Sequence, residues 1–168
     1  MHSMEVAATK EKTAESKNSA NIQLIVFRLG GGEYGCPIDF IKEVVLTPPV
    51  TKIPLSPKHI KGVANVRGTI LAVVDLEERL SISTARQEVE EKPNYLLVIE
   101  SEEYKMGILV KEVPNTLSIA ESAIDHSPNL IQDTGTEKGY VKGIVKSGNR
   151  LVILLDVFKL ISKDEIAV

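Results

Sequence analysis

At 168 residues, with 26% charged and 43% hydrophobic side chains, the chain has room for one ordinary domain or two very small ones sharing a core. A net charge of -3, with four Tyr, three Phe and no Trp, argues against a nucleic-acid binder, which needs a basic face or a stacking platform. No run approaches the roughly 18 apolar residues that cross a bilayer, and the first twenty residues lack the apolar stretch of a signal peptide, so a cytoplasmic chain is expected.

Residues 1–21 are rich in Ala, Thr, Ser, Lys and Glu without apolar periodicity, which predicts a disordered tail; a short amphipathic helix docking on a partner is the alternative. Ile22 to Leu29 is dense in β-branched and apolar residues and stops at Gly30-Gly31-Gly32. Glu33 to Ile38 returns as the second strand of a hairpin. Asp39 to Val45 suits one helical turn or an irregular edge, and Pro48, Pro49, Pro54 and Pro57 exclude a long helix after it. A strand, a turn and a strand follow from His59, the second strand being the unbroken apolar run Ile70 to Val74, as expected for burial on both faces. Leu76 to Ile82 suits a short helix, and the polar stretch Ser83 to Pro93 reads as a connection. The programme then repeats. Tyr95 to Ile99 and Tyr104 to Val110 form a hairpin, Leu117 to Ile119 a short strand, and Glu121 to Lys138 a polar loop. Tyr140 to Lys146 and Leu151 to Leu155 pair about Ser147-Gly148-Asn149, and Asp156 to Ser162 closes as a short helix.

An offset of 81 residues carries Ile60-Lys61-Gly62-Val63 onto Val141-Lys142-Gly143-Ile144 and Ile70 to Leu76 onto Leu151 to Val157 without a gap. More loosely, Tyr34 and Lys42-Glu43-Val44 match Tyr104 and Lys111-Glu112-Val113. Two copies of about five short strands imply two small barrels, each too small to hold much core alone, that share apolar surface.

The chemistry-bearing residues form no reaction centre. Cys36 is the only cysteine, which rules out an internal disulfide and a cysteine-built zinc site, and it is expected to be a small buried side chain in a strand. The three histidines, His2, His59 and His126, show no ligand spacing. The glycine run is left by a strand, whereas a phosphate cradle needs a helix there. Asp75 and Asp156 end equivalent strands just before short helices, a position that suits N-capping better than catalysis. Gly62 and Gly143 are likewise shared scaffold. The copies differ at one turn: Asn65-Val66-Arg67-Gly68-Thr69 stands against Lys146-Ser147-Gly148-Asn149-Arg150, so that only the first has a fixed cation at its tip, beside Gly68.

The segment from His59 to Leu76, HIKGVANVRGTILAVVDL, resembles the central motif of the CheW family of chemotaxis coupling proteins. Phe27-Arg28-Leu29-Gly30, Glu33-Tyr34-Gly35, Ile41-Lys42-Glu43-Val44, Pro54 with Pro57, and Leu154-Leu155-Asp156 extend the resemblance from about Leu24 to Ser162. Val66 and Ala72 depart from the family's common Leu and Pro, both as apolar exchanges within strands.

This resemblance implies an all-β fold: two intertwined five-stranded SH3-like barrels with a shared hydrophobic core and short helices. The domain would span 22–162, with subdomains at roughly 22–82 and 94–162, some strand exchange and a tail from 163 to 168. It implies a non-catalytic scaffold, with no cofactor or metal, coupling transmembrane chemoreceptors to the histidine kinase CheA. A CheW-like module of a larger CheA or CheV protein is the alternative; kinase sequence upstream or a receiver domain downstream would mark it, and neither is present in these 168 residues. The implied partners are the CheA regulatory domain and the cytoplasmic tips of methyl-accepting chemoreceptors, with no nucleic acid and no membrane insertion. By the resemblance, Ile41, Glu43, Arg67 and Val113 belong to a receptor groove, with Glu43 and Arg67 facing one another at its rim. A solvated Arg at a turn is the alternative reading of Arg67. Ile53-Pro54-Leu55 is the kinase-contact candidate, and a simple strand connection is the alternative there.

Overall fold

A computed structural model describes residues 20–82, 95–103, 105–126 and 140–161. The expected N-terminal tail before Ala20, the connection after Ile82, most of the polar loop and the tail after Ile161 lie outside the described residues.

The first half contains strands β1 (Asn21–Leu29), β2 (Gly32–Pro37), β3 (Ile41–Leu46), β4 (Ile60–Val66) and β5 (Thr69–Val74), followed by a one-turn helix α1 (Leu76–Arg79). The second half contains β6 (Tyr95–Glu100), β7 (Lys105–Val110), β8 (Asn115–Ala120), the two-residue β9 (Ile124–Asp125), β10 (Val141–Ser147), β11 (Arg150–Leu155) and helix α2 (Val157–Leu160). The segment from Asp39 resolves into a 3-10 turn over Ile38–Phe40 and then β3.

Each half lends its first hairpin to the other. One sheet runs β8-β1-β2-β11-β10-β9 and the other β3-β6-β7-β5-β4. The β1–β2 hairpin thus lies among strands of the second half, and the β6–β7 hairpin among strands of the first. Both transfers use the same parallel join, β2 against β11 and β7 against β5. The sheets are equivalent strand for strand: the lone bridge between Thr51 and Val63 occupies the place that β9 takes beside β10.

Register corrects the looser half of the repeat. Val26 opposite Gly35 matches Val98 opposite Gly107, an offset of 72 residues. Tyr34 therefore corresponds to Met106 rather than Tyr104, and Glu43, opposite Val98, corresponds to Asn115, opposite Val26. The identical Lys-Glu-Val triplets misled because they are three positions out of structural register. Ile41 and Val113 do share the 72-residue offset.

The apolar runs need two cores because each strand alternates between them. Along β1, Leu24 and Val26 join Val145, Val152 and Leu154 inside the six-stranded sheet, whereas Ile25, Phe27 and Leu29 face the other way. Along β5, Leu71 and Val73 join Val66, Leu96 and Val98 inside the five-stranded sheet. The outward residues of both sheets, among them Phe27, Val74, Ile99, Ile108 and Leu155, form one cluster with Leu76, Val157 and Leu160 of the two helices. That cluster is the shared core. Ile70, first of the apolar run, is exposed with its counterpart Leu151, since both lie at the turn ends of their strands. Cys36 is buried in the shared core, and burial pushes its thiol up to about 12, so it stays protonated and inert.

Asp75 accepts the N–H groups of Glu77 and Glu78, and Asp156 that of Phe158, so both cap their helices. A Cβ on Gly62 would lie 2.1 Å from the Thr51 carbonyl oxygen, and one on Gly143 would lie 2.6 Å from Ile124 Cγ2. Both glycines sit at matching bulges, where β4 is crowded by the Thr51 segment and β10 by β9. The Gly30-Gly31 turn joins two strands, and the Gly30 N–H donates to Glu77 Oε2 at 3.0 Å. A carboxylate of the chain's own already occupies that donor.

Glu33 on β2 holds the two halves together at one point. Arg150 reaches it with Nε at 3.0 Å and a second nitrogen at 3.3 Å, a forked geometry, and Arg28 lies 3.6 Å away. The Arg150 hydrogen bond holds the Glu33 carboxyl below its ordinary value of 4.5. A depressed folded pKa means that the pair's stabilisation is complete above the unfolded value and is lost as pH falls through the folded one. The melting temperature of Glu33→Gln is therefore expected to lie below the parent's at pH 7 and to converge on it below pH 4.5. A gap that stays constant down to pH 3 would exclude the carboxylate as its cause.

Candidate functional site

The β4–β5 turn is built by two residues in the left-handed region, Arg67 with φ 52° and Gly68 with φ 87°. That combination defines the tight hairpin turn whose twist matches its strands. Asn65 Oδ1 accepts the Gly68 N–H at 2.8 Å and braces it. Gly68 is required by its φ alone, since no atom lies within 4 Å of a Cβ placed there. Arginine gains nothing from this conformation. Its structural counterpart is Gly148, with φ 62°, which meets no Cβ penalty.

Arg67 Nε donates to Glu43 Oε1 at 2.8 Å, with Arg67 73% and Glu43 22% exposed. Glu43 follows a bulge in β3 and stands above Val66, Leu71 and Val98, at the mouth of the five-stranded sheet's interior. β3 and β4 are the two edges of that sheet. The ion pair therefore bridges the seam where the barrel would otherwise gape. Lys42 and Glu100, 3.0 Å apart, flank it. The other sheet has Asn115 and Gly148 at the equivalent positions and no such pair there.

Ile41 and Val113 stand at equivalent points, just before or at the start of edge strands, but in different surroundings. Ile41 packs against the shared core, whereas Val113 is 62% exposed in the connection from β7 to β8. Glu43 and Arg67 are joined directly, Ile41 lies two residues before Glu43 with its side chain against the shared core, and Val113 is not brought into contact with the pair by any core packing.

Ile53, Pro54 and Leu55 line an open cleft of about 620 Å3 with Lys52, Lys58, Lys61 and Glu78. Leu55 is fully exposed, at 103%, and holds φ 64°. Ser56 Oγ donates to the Ile53 carbonyl at 2.9 Å and so keeps the loop folded beneath it.

Sequence reasoning passed over Glu77. Its Oε2 takes the Gly30 N–H and its Oε1 lies 3.5 Å from Lys111 Nζ. The 81-residue offset could have exposed it, because Phe158 stands at the matching place and packs edge-on against Phe40, with ring centres 5.0 Å apart.

The described residues contain no group of three His, Cys, Asp or Glu placed to hold a metal ion, and no helix long and apolar enough to cross a membrane. Two interlocked β sheets about one core, with a cation held at a left-handed turn and an exposed leucine on a proline-flanked loop, define a β-rich class of paired small barrels.

The family model described as "CheW-like domain" matches residues 23–165. The chain is 30% identical over 152 residues to chemotaxis protein CheW of Treponema pallidum, covering 89% of this chain and 87% of that one. It is 34% identical over 146 residues to chemotaxis protein CheW of Klebsiella aerogenes, covering 86% and 84%. The crystal structure of the scaffolding protein TtCheW from Thermoanaerobacter tengcongensis superposes with a TM-score of 0.71 at 29% identity, covering 86% of this chain and 90% of that one. The chain belongs to the CheW-like domain family, a family of non-catalytic scaffolds of chemotaxis.

Proposed function

We propose that this protein joins the cytoplasmic tips of transmembrane chemoreceptors to the regulatory domain of the histidine kinase CheA, and is recruited from the cytoplasm to receptor arrays in doing so. The observation that carries the reading is Arg67. It occupies a left-handed turn position that the other copy gives to glycine, and Glu43 holds its Nε while the rest of the guanidinium stands exposed for a partner. Residue choice against backbone preference marks a position selected for what its side chain does. A helical hairpin tip entering a groove needs apolar lining from Ile41 and Val113 and a charged pair that sets register, which Glu43 and Arg67 supply. The decisive assay is autophosphorylation of CheA with receptor membranes, with and without this protein. Stimulation on addition is expected; none, from components known to be competent, would defeat the reading.

The kinase contact falls to Ile53, Pro54 and Leu55. A fully exposed leucine on a loop stiffened by prolines offers an anchor with little left to order on binding. Leu55→Asp is expected to weaken binding of the kinase regulatory domain about tenfold and to leave the melting temperature unchanged, because nothing in the fold buries that side chain. Full retention of binding would make the loop a plain connection.

A further inference from the structure

We propose, resting on the receptor-coupling reading above, that Glu77 is a positioning residue that aims the Val113 connection at the receptor. Glu77 lies on α1, immediately after β5, and its side chain is only 15% exposed. One carboxylate there ties three elements: its own helix, the Gly30 tip of the β1–β2 hairpin at 3.0 Å, and Lys111 at the end of β7 at 3.5 Å. Gly30 belongs to the six-stranded sheet and β7 to the five-stranded one, so the carboxylate joins the two barrels beside their shared core.

The consequence falls on Val113. The connection from β7 to β8 is only Lys111-Glu112-Val113-Pro114. Pro114 restricts its exit by fixing its own φ and excluding the helical region for the residue before it. Lys111, held by Glu77, restricts its entrance. Val113, exposed between these two fixed points, has its direction set by them. A half-exposed ion pair adds little to stability by itself. Geometry at Val113 is what this one controls, and the matching Phe158 of the second copy provides no equivalent because it is spent on packing with Phe40.

The two bonds of Glu77 can be separated. Glu77→Gln keeps an oxygen for the Gly30 N–H and loses the charge for Lys111. Lys111→Met keeps the side-chain stem and loses the charge from the other side; Lys111→Arg keeps both. The probes are a soluble helical hairpin carrying a chemoreceptor tip and the isolated CheA regulatory domain, titrated against the full chain. Glu77→Gln and Lys111→Met are each expected to weaken the receptor hairpin about threefold or more, and the double variant no further than either single, since both remove one interaction. Lys111→Arg is expected to bind like the parent, and all variants to bind the regulatory domain unchanged. Equal losses for both partners would reduce Glu77 to general structural support and overturn the proposal. Unchanged receptor binding in Glu77→Gln and Lys111→Met, with binding lost in Arg67→Gly, would overturn it and leave the coupling reading standing. Unchanged binding in Arg67→Gly as well would take Arg67 out of the contact, whereas a parent protein that binds neither the receptor hairpin nor the regulatory domain would remove the coupling reading itself.

Discussion

Replacing Arg67 with glycine is expected to weaken binding of a chemoreceptor hairpin at least tenfold, or about 1.4 kcal/mol, with the melting temperature held within a few degrees of the parent. The two effects separate because the terms for folding nearly cancel. An exposed ion pair such as Arg67–Glu43 contributes about 0–1 kcal/mol. A residue with a Cβ in the left-handed region costs about 1–2 kcal/mol, and glycine relieves that. Glycine's extra freedom in the unfolded chain returns about 0.4–1 kcal/mol against the folded state. Binding has no such cancellation. An arginine at an interface gives a fixed fork of donors, and its loss leaves the Glu43 carboxylate unpaired beneath the partner. Arg67→Lys keeps the charge without the fork and should fall between. The measurement is a receptor-hairpin titration beside a thermal melt. A glycine variant that binds the hairpin normally would return Arg67 to a solvated turn residue.

Gly62→Ala is expected to destabilise the fold by about 3 kcal/mol or more, well beyond the roughly 1–2 kcal/mol expected of Gly143→Ala at the equivalent bulge. At Gly62 the added methyl meets backbone: Thr51 O at 2.1 Å and Thr51 C at 2.7 Å, with φ at +146°. Relief requires moving Thr51, which exchanges two hydrogen bonds of 2.8 Å with Val63 and carries the chain after β3 onto the free edge of β4. Losing them leaves donors and acceptors without partners and loosens the closure of the five-stranded barrel. At Gly143 the nearest atom is a methyl group, Ile124 Cγ2, which another rotamer can withdraw, and Asp125 O lies further off at 3.1 Å. Urea unfolding of both variants tests the ranking; equal losses would show that the bulges tolerate strain alike.

Several features were open to reading in the residues alone because their causes are local. Hairpins at Gly30 and at Arg67-Gly68, caps at Asp75 and Asp156, and the repeat across β4–β5 and β10–β11 rest on turn chemistry and on period-two burial, and they stand where expected. The unbroken apolar run of β5 correctly announced two buried faces. The repeat across the first hairpins was misaligned, because identical triplets at Lys42 and Lys111 outweigh a register that only strand pairing reveals. That Glu43 and Arg67 face one another was expected from the family resemblance alone, and no local pattern in the residues gave it. Glu43 and Arg67 meet because β3 and β4 are opposite edges of one curled sheet, a contact that no short-range pattern encodes.

By itself, then, the sequence determined a β-rich protein of two like halves, its turns, its capped helices and its family. The family resemblance anticipated strand exchange and a facing Glu43–Arg67 pair; tertiary structure decided which hairpins are exchanged, that the pair closes a barrel seam, and that Glu77 binds both sheets. The physical reason is distance along the chain. Turns and caps are settled by neighbours within a few residues, whereas exchange and seam closure follow from burying two sheets' outward apolar faces in one core.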